Sequence, residues 1–293
     1  MIWSGIFLGL ALLIKPTVQY FPILIPLFFL IVFWKNNLKN RLIQAMLYSA
    51  IAVMIISPWL IRNFNYFGKM EMTVQPAFNL YVYLVPTILS IDNKTNFATE
   101  LDNFVYKKGV NVFDINLANQ AKYKMEAIPI ILDHKFALVK SVMITIVTFF
   151  THDGMLTVLQ YSGINITNVV NIPFINLIFS PIALTKAIWH YLFSPAILII
   201  LGRLFWFILT LLMLYGILNL YRNKQFRSQH ILISLVILYF ALTTSINGLG
   251  VNARFRVPVL SLIFGFAVYG FYAILAFIKT KYYEKNIDSS SCI

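Results

Sequence analysis

The chain has 293 residues, 60% of them hydrophobic and only 11% charged, with a mean hydropathy of +0.79. Soluble domains carry roughly 25% charged residues, so this composition excludes an ordinary soluble globular protein and indicates an all-α integral membrane protein. The net charge of +13 does not point to nucleic acid, because the 23 Lys and Arg lie in short loops between apolar runs rather than on one polar face. The single cysteine, Cys292, excludes an intrachain disulfide framework and a cysteine-based metal cluster.

Taken in chain order, Ile2 to Ile14 is the first apolar run. As a helix it is about 20 Å long, short of the roughly 30 Å hydrocarbon core. It lacks the basic n-region and small-residue cleavage site of a signal peptide. The chain therefore reads as starting inside a membrane helix, with further sequence expected upstream. Lys15-Pro16 ends that run, because proline cannot continue the helix before it, and Thr17 to Trp34 follows as a second span. Leu42 to Leu60 is uncharged throughout and forms a third, with Arg62 placed where the chain leaves the lipid.

Residues 61–190 hold every acidic residue except Glu284 and Asp288, and read as an extracytoplasmic region with juxtamembrane helices. Within it, Phe136 to Phe150 and Ile164 to Trp189 read either as a pair of spans or as surface or re-entrant helices, the latter being the expectation adopted. The triplets Asn93-Lys94-Thr95 and Asn165-Ile166-Thr167 match a glycosylation pattern that also occurs by chance. Leu204 to Tyr221, Ile231 to Ile246 and Val257 to Ile278 complete five full spans, the short Ile2 to Ile14 run not counted among them. The resulting division is 1–60 N-terminal membrane helices, 61–190 extracytoplasmic, 191–280 C-terminal membrane helices and 281–293 a cytoplasmic tail. Lys35, Lys39 and Arg41, then Arg222, Lys224 and Arg227, then Lys279, Lys281 and Lys285 fill the short loops and the start of the tail. Such clusters stay cytoplasmic, which orients the multi-span bundle.

With that orientation Lys15, Arg62, Arg203, Arg254 and Arg256 lie at the outer ends of spans, where cations are depleted. One reading is snorkelling, in which long cationic side chains reach headgroups and fix depth. The other is a shared anionic ligand, a lipid phosphate or diphosphate. An Arg fork matches phosphate oxygens bidentately, while Lys15 would act as a point charge. Among the acids, Glu100 and Asp102 read as a solvated loop. His152-Asp153-Gly154 offers a weak metal-ligand or proton-acceptor signal. No Walker loop, G-x-S-x-G elbow, H-E-x-x-H or CxxC occurs, so no cofactor is evident and a divalent metal ion is the one left open.

Three stretches then share a resemblance. Gly5-Ile-Phe-Leu-Gly-Leu-Ala-Leu-Leu-Ile-Lys15-Pro16 resembles the "GLxLGLAxLTRP" helix end of bacterial GT-C membrane glycosyltransferases, with Ile14 where that family often has Thr. Pro58-Trp59-Leu-Ile-Arg62-Asn63, with Phe67-Gly68 after it, resembles their "PWxxRNxxxFG", and Ala253-Arg254-Phe-Arg256-Val-Pro258 their "RYRLPxxP". The relatives meant are protein O-mannosyltransferase-like and lipid A aminoarabinose transferase-like enzymes.

The resemblance implies inverting transfer of a sugar from a polyprenyl-phosphate donor to a lipid, glycan or protein acceptor on the outer face of the bacterial inner (cytoplasmic) membrane. It assigns the donor phosphate to Lys15, Arg62, Arg254 and Arg256, with Trp59, Asn63 and Pro258 shaping the site. Cations aimed at the leaving phosphate would stabilise the transition state. The family's acidic loop after its first span has no counterpart here, so no catalytic residue is assigned and a separate N-terminal half is an expected partner. A non-catalytic remnant or partner subunit is the alternative. An anionic-lipid transporter or flippase would need charges near span centres, and the runs above carry none there.

Overall fold

The structure, a computed structural model, describes residues 2–32, 38–164, 182, 185, 189, 197–223, 227–251 and 253–290. Among them are helices and no strand. Four stretches are helical, long and apolar enough to cross a membrane: Lys39–Phe67, Ile197–Arg222, Ser228–Gly250 and Ala253–Thr280. The chain divides into two compact units, Met1–Lys135 and Phe136–Ile293.

The first unit opens with α1 (Ile2–Ile14), α2 (Phe21–Val32) and α3 (Leu38–Phe67). Gly5 and Gly9 let α1 lie directly on α3. A Cβ on Gly5 would stand 2.9 Å from the Tyr48 carbonyl, and one on Gly9 would stand 2.7 Å from Ile55 Cβ. Glycines four apart on one helix face are a common solution for close packing of apolar helices. Because Gly5 meets Tyr48 and Ile51 while Gly9 meets Ile55, the two helices run parallel.

The expected span from Thr17 to Trp34 is a shorter helix. Lys15 is extended, Pro16–Val18 makes one 3-10 turn, and α2 restarts only at Phe21, giving 12 residues or about 18 Å; Phe33 and Trp34 lie outside the described residues. Both α2 and α3 pass through a proline, which removes one helical donor and leaves the carbonyl four residues earlier without its partner. In α2 Pro26 would leave Pro22 so, and the Ser49 hydroxyl of α3 donates to that carbonyl at 2.5 Å. In α3 Pro58 would leave Met54 so, and the neighbouring Ser57 hydroxyl donates to it at 2.8 Å. With that donor supplied, α3 does not stop at Leu60 but continues to Phe67, placing Arg62 inside its final turns.

Beyond α3 the chain builds a small helical cluster from α4 (Gln75–Phe78), α5 (Val85–Asp92), α6 (Phe97–Leu101) and α7 (Gln120–Asp133), with π-helical turns at Asn79–Leu84 and Asp102–Tyr106. Tyr81 is fully buried, 4.8 Å from the Phe104 ring and 4.9 Å from the Tyr123 ring between centroids. Burial, with the charge of Glu126 adding, pushes its phenol above the ordinary value and keeps it neutral. Glu100 is buried rather than solvated. It accepts from Thr95 Oγ1 at 2.7 Å and Asn93 Nδ2 at 3.1 Å, so the first glycosylation-type triplet closes a turn onto its own acid.

The second unit contains α8 (Lys135–Thr151) and α9 (Met155–Tyr161), bent by 65° at the His152-Asp153-Gly154 break. By length and composition this bent pair is either a broken span or a re-entrant loop. Ile164 to Trp189, apart from single positions, lies outside the described residues. Then come α10 (Ile197–Arg222), α11 (Ser228–Thr244) and α12 (Leu260–Ser290), with 3-10 turns at Ser245–Gly250 and Ala253–Val259 between the last two. Gly216 and Gly270 bring α10 and α12 into backbone contact. A Cβ at Gly270 would come to 2.0 Å from the Leu212 carbonyl, and one at Gly216 to 2.3 Å from that of Phe266.

Candidate functional site

In the first unit Trp59, Arg62, Asn63 and Tyr66 lie three or four residues apart along the last turns of α3, so they share one face. Two of them clasp the chain that turns back after Gly68. Trp59 Nε1 donates to the Met72 carbonyl at 3.0 Å, and Asn63 Nδ2 to the Glu71 carbonyl at 2.7 Å. Asn63 is 1% exposed and holds that turn from beneath. Arg62 stays exposed, with its guanidinium 4.8 Å from the Trp59 ring centroid and 5.3 Å from that of Tyr66. Its Nη1 donates to Asn63 Oδ1 at 3.2 Å. Two aromatic faces and one amide thus fix the cation's direction without neutralising its charge. Lys15 is also exposed. The register set by Gly5 and Gly9, carried on along the parallel pair, brings it level with Ile61 and Arg62.

In the second unit the turn Ala253–Val259 separates its two arginines. Arg254 is exposed beside Phe255, whose ring centroid is 5.2 Å from its guanidinium, and Pro258 is exposed. Arg256 points the other way and is 1% exposed. Its Nη1 donates to the Phe149 carbonyl at 2.7 Å and its Nη2 to the His152 carbonyl at 2.6 Å. Its guanidinium lies 3.6 Å from the Trp206 ring centroid. The final carbonyls of a helix have no helical donors, and a cation there also meets the negative end of the helix dipole. Arg256 therefore closes the C-terminus of α8 and holds the break before α9.

The break itself carries a feature that sequence reasoning weighed only as a weak signal. The side chain of Asp153 is 2% exposed, and its Oδ2 lies 3.9 Å from Arg203 Nε of α10. Its Oδ1 accepts from the Met155 N–H at 2.9 Å, which starts α9. Among the described residues Oδ2 accepts no hydrogen bond. Gly202 makes room for it, since a Cβ there would stand 2.7 Å from Asp153 Cβ. The available signal was Arg203 itself, the one charge in α10 before Arg222. A charge within an apolar helix, even near its start, calls for a partner.

Among the described residues no three His, Cys, Asp or Glu side chains gather as a metal site. Comparison with protein-family models, curated proteins and solved structures finds no match for this chain. The chemistry on offer is that of exposed, aromatic-braced cations at helix ends, suited to an oxyanion, together with a buried charge cluster that sets the shape of a helix break.

Proposed function

We propose that the chain is a multi-pass membrane protein of the bacterial inner membrane that holds the phosphate of a polyprenyl-linked sugar at the outer face. Arg62 is its principal contact, with Lys15 at the same level. The observation that carries this reading is the mounting of Arg62, exposed yet clamped between the Trp59 and Tyr66 rings above a buried Asn63. A snorkelling anchor needs no such mounting, because reaching the headgroups takes only length and flexibility.

Membrane residence is supported by the four long apolar helices, whose large side chains are exposed over most of their length. Orientation is supported by charge placement along single helices. Lys39 and Arg41 stand at the start of α3 and Arg62 near its end, while Arg254 opens the Ala253–Thr280 stretch that Lys279 closes. Arg254, exposed in the second unit, is the second cation proposed for phosphate. Arg256 is proposed as a positioning residue that holds the α8 end against Trp206. Trp59 and Asn63 shape the site by fixing the turn at Glu71 and Met72.

The resemblance to GT-C glycosyltransferases supplies the reaction class: the bond from the anomeric carbon to the phosphate oxygen breaks, the acceptor oxygen takes its place, and the cations receive the departing charge. In membranes holding the chain, transfer from a polyprenyl-phosphate sugar is expected to fall at least about tenfold for Arg62→Ala and for Arg254→Ala, the loss of one charge-assisted phosphate contact. Unchanged transfer in both variants would overturn the reading and leave the cations as depth anchors. A lipid-phosphate protein without transfer activity is the second reading, favoured by the lack of an exposed carboxylate assigned to the reaction. It predicts phosphate binding that still depends on Arg62, with no sugar transfer.

A further inference from the structure

At the far end of the second unit a crevice of about 340 Å³ opens between the end of α10, the start of α11 and the flank of α12. Leu220, Ile233 and Phe266 line it with apolar surface, and His230 and Tyr269 edge it. Its depth comes from Gly265, where an added Cβ would meet no atom within 4 Å. Helix α11 meets the 3-10 turns at its C-terminal end, and near its N-terminus the His230 and Phe266 ring centroids are 6.3 Å apart.

Two arginines stand close in sequence to the residues that line the crevice. Arg222 ends α10 two residues after Leu220, and the Arg227 N–H donates to His230 Nδ1 at 3.0 Å. Both arginine side chains are exposed, and neither α10 nor α11 contains an acidic residue. An apolar crevice whose lining residues Leu220 and His230 stand within three residues of the exposed Arg222 and Arg227 matches an amphiphile with a hydrocarbon tail and an anionic head. The apolar lining accommodates a hydrocarbon tail, and a nearby arginine adds attraction for anionic headgroups.

We infer that this crevice binds one anionic phospholipid, its acyl chain along Gly265 and its phosphate between Arg222 and Arg227. The inference rests on the membrane residence proposed above, and not on sugar transfer. On that topology the crevice opens toward the cytoplasmic leaflet, which is the basic side of the bundle.

The test is native mass spectrometry of the full chain in detergent, titrated with phosphatidylglycerol or with phosphatidylcholine of the same acyl chains. The wild type is expected to retain one phosphatidylglycerol at least about tenfold more tightly than phosphatidylcholine, from the two arginines together. Arg222→Gln with Arg227→Gln should erase that preference. Gly265→Phe, which fills the slot, should lower binding of both lipids; Gly265→Leu serves as a milder filling if the phenylalanine variant does not fold. Equal binding of the two lipids by the wild type would overturn the inference, as would Gly265 variants that fold and bind like wild type. Release of the chain from membranes by alkaline carbonate would instead refute membrane residence, a separate and distinguishable failure.

Discussion

Ser49 and Ser57 show how single hydroxyls decide what this sequence does at its prolines. Each donates to a carbonyl that Pro26 or Pro58 would leave without a donor, one across a helix pair and one within a helix. Ser49→Ala is expected to destabilise the first unit by about 1–3 kcal/mol, the cost of an unsatisfied buried carbonyl, while Ser49→Thr keeps most of the loss away. Thermal unfolding in detergent, followed by circular dichroism, measures both. Glu100 belongs to the same scale. It looked like a solvated loop acid because its two partners, Asn93 and Thr95, are polar residues that also suit loops. Only their convergence on one oxygen, enabled by Lys94 at a φ of 55°, reveals a buried acceptor. Glu100→Ala leaves both donors unmatched and is expected to lower stability by a similar 1–3 kcal/mol, roughly. Arg62 carries the functional weight here. Trp59→Leu removes one of the two rings that brace it and the hydrogen bond to Met72, so lipid-phosphate affinity should fall several-fold with helix content unchanged.

Among the elements, those with a local signature were legible in the sequence and those held by distant partners were not. Ile2 to Ile14 is bounded by the same residues in sequence and structure, because Lys15-Pro16 punctuates it. The apolar run of α11 was read within a few residues, whereas α12 continues through a polar flank to Ser290 and α10 begins at Ile197, because Arg203 lies inside the helix rather than before it. The break between α8 and α9 is different: its hold, Arg256, lies more than a hundred residues from the carbonyls it bonds. No spacing rule could pair them. Arg256→Ala is expected to release two carbonyls from a buried cation and cost about 3 kcal/mol or more, whereas Arg256→Lys, with one ammonium in place of a fork, recovers only part. Gly9→Leu tests the other type of contact. Its side chain would meet Ile55 at less than contact distance, so α1 should pack less closely on α3, measured as a lower thermal unfolding midpoint in detergent.

For the molecule as a whole, composition alone established the helical, apolar class, and the four long helices agree with it. What composition could not show is that the acid-rich stretch after α3 forms a packed cluster around Tyr81, or that the two arginines of the Ala253–Val259 turn face opposite ways. Both depend on long-range packing rather than on residue type. The account's central claim is that Arg62 holds a lipid phosphate. Its most direct measurement is equilibrium binding of a short-chain polyprenyl phosphate to the purified chain in nanodiscs, set beside the uncharged polyprenol. The account predicts that the wild type prefers the phosphate by at least about tenfold and that Arg62→Ala abolishes the preference without altering helix content. Equal binding of phosphate and alcohol by the wild type, or an undiminished preference in Arg62→Ala, would contradict it.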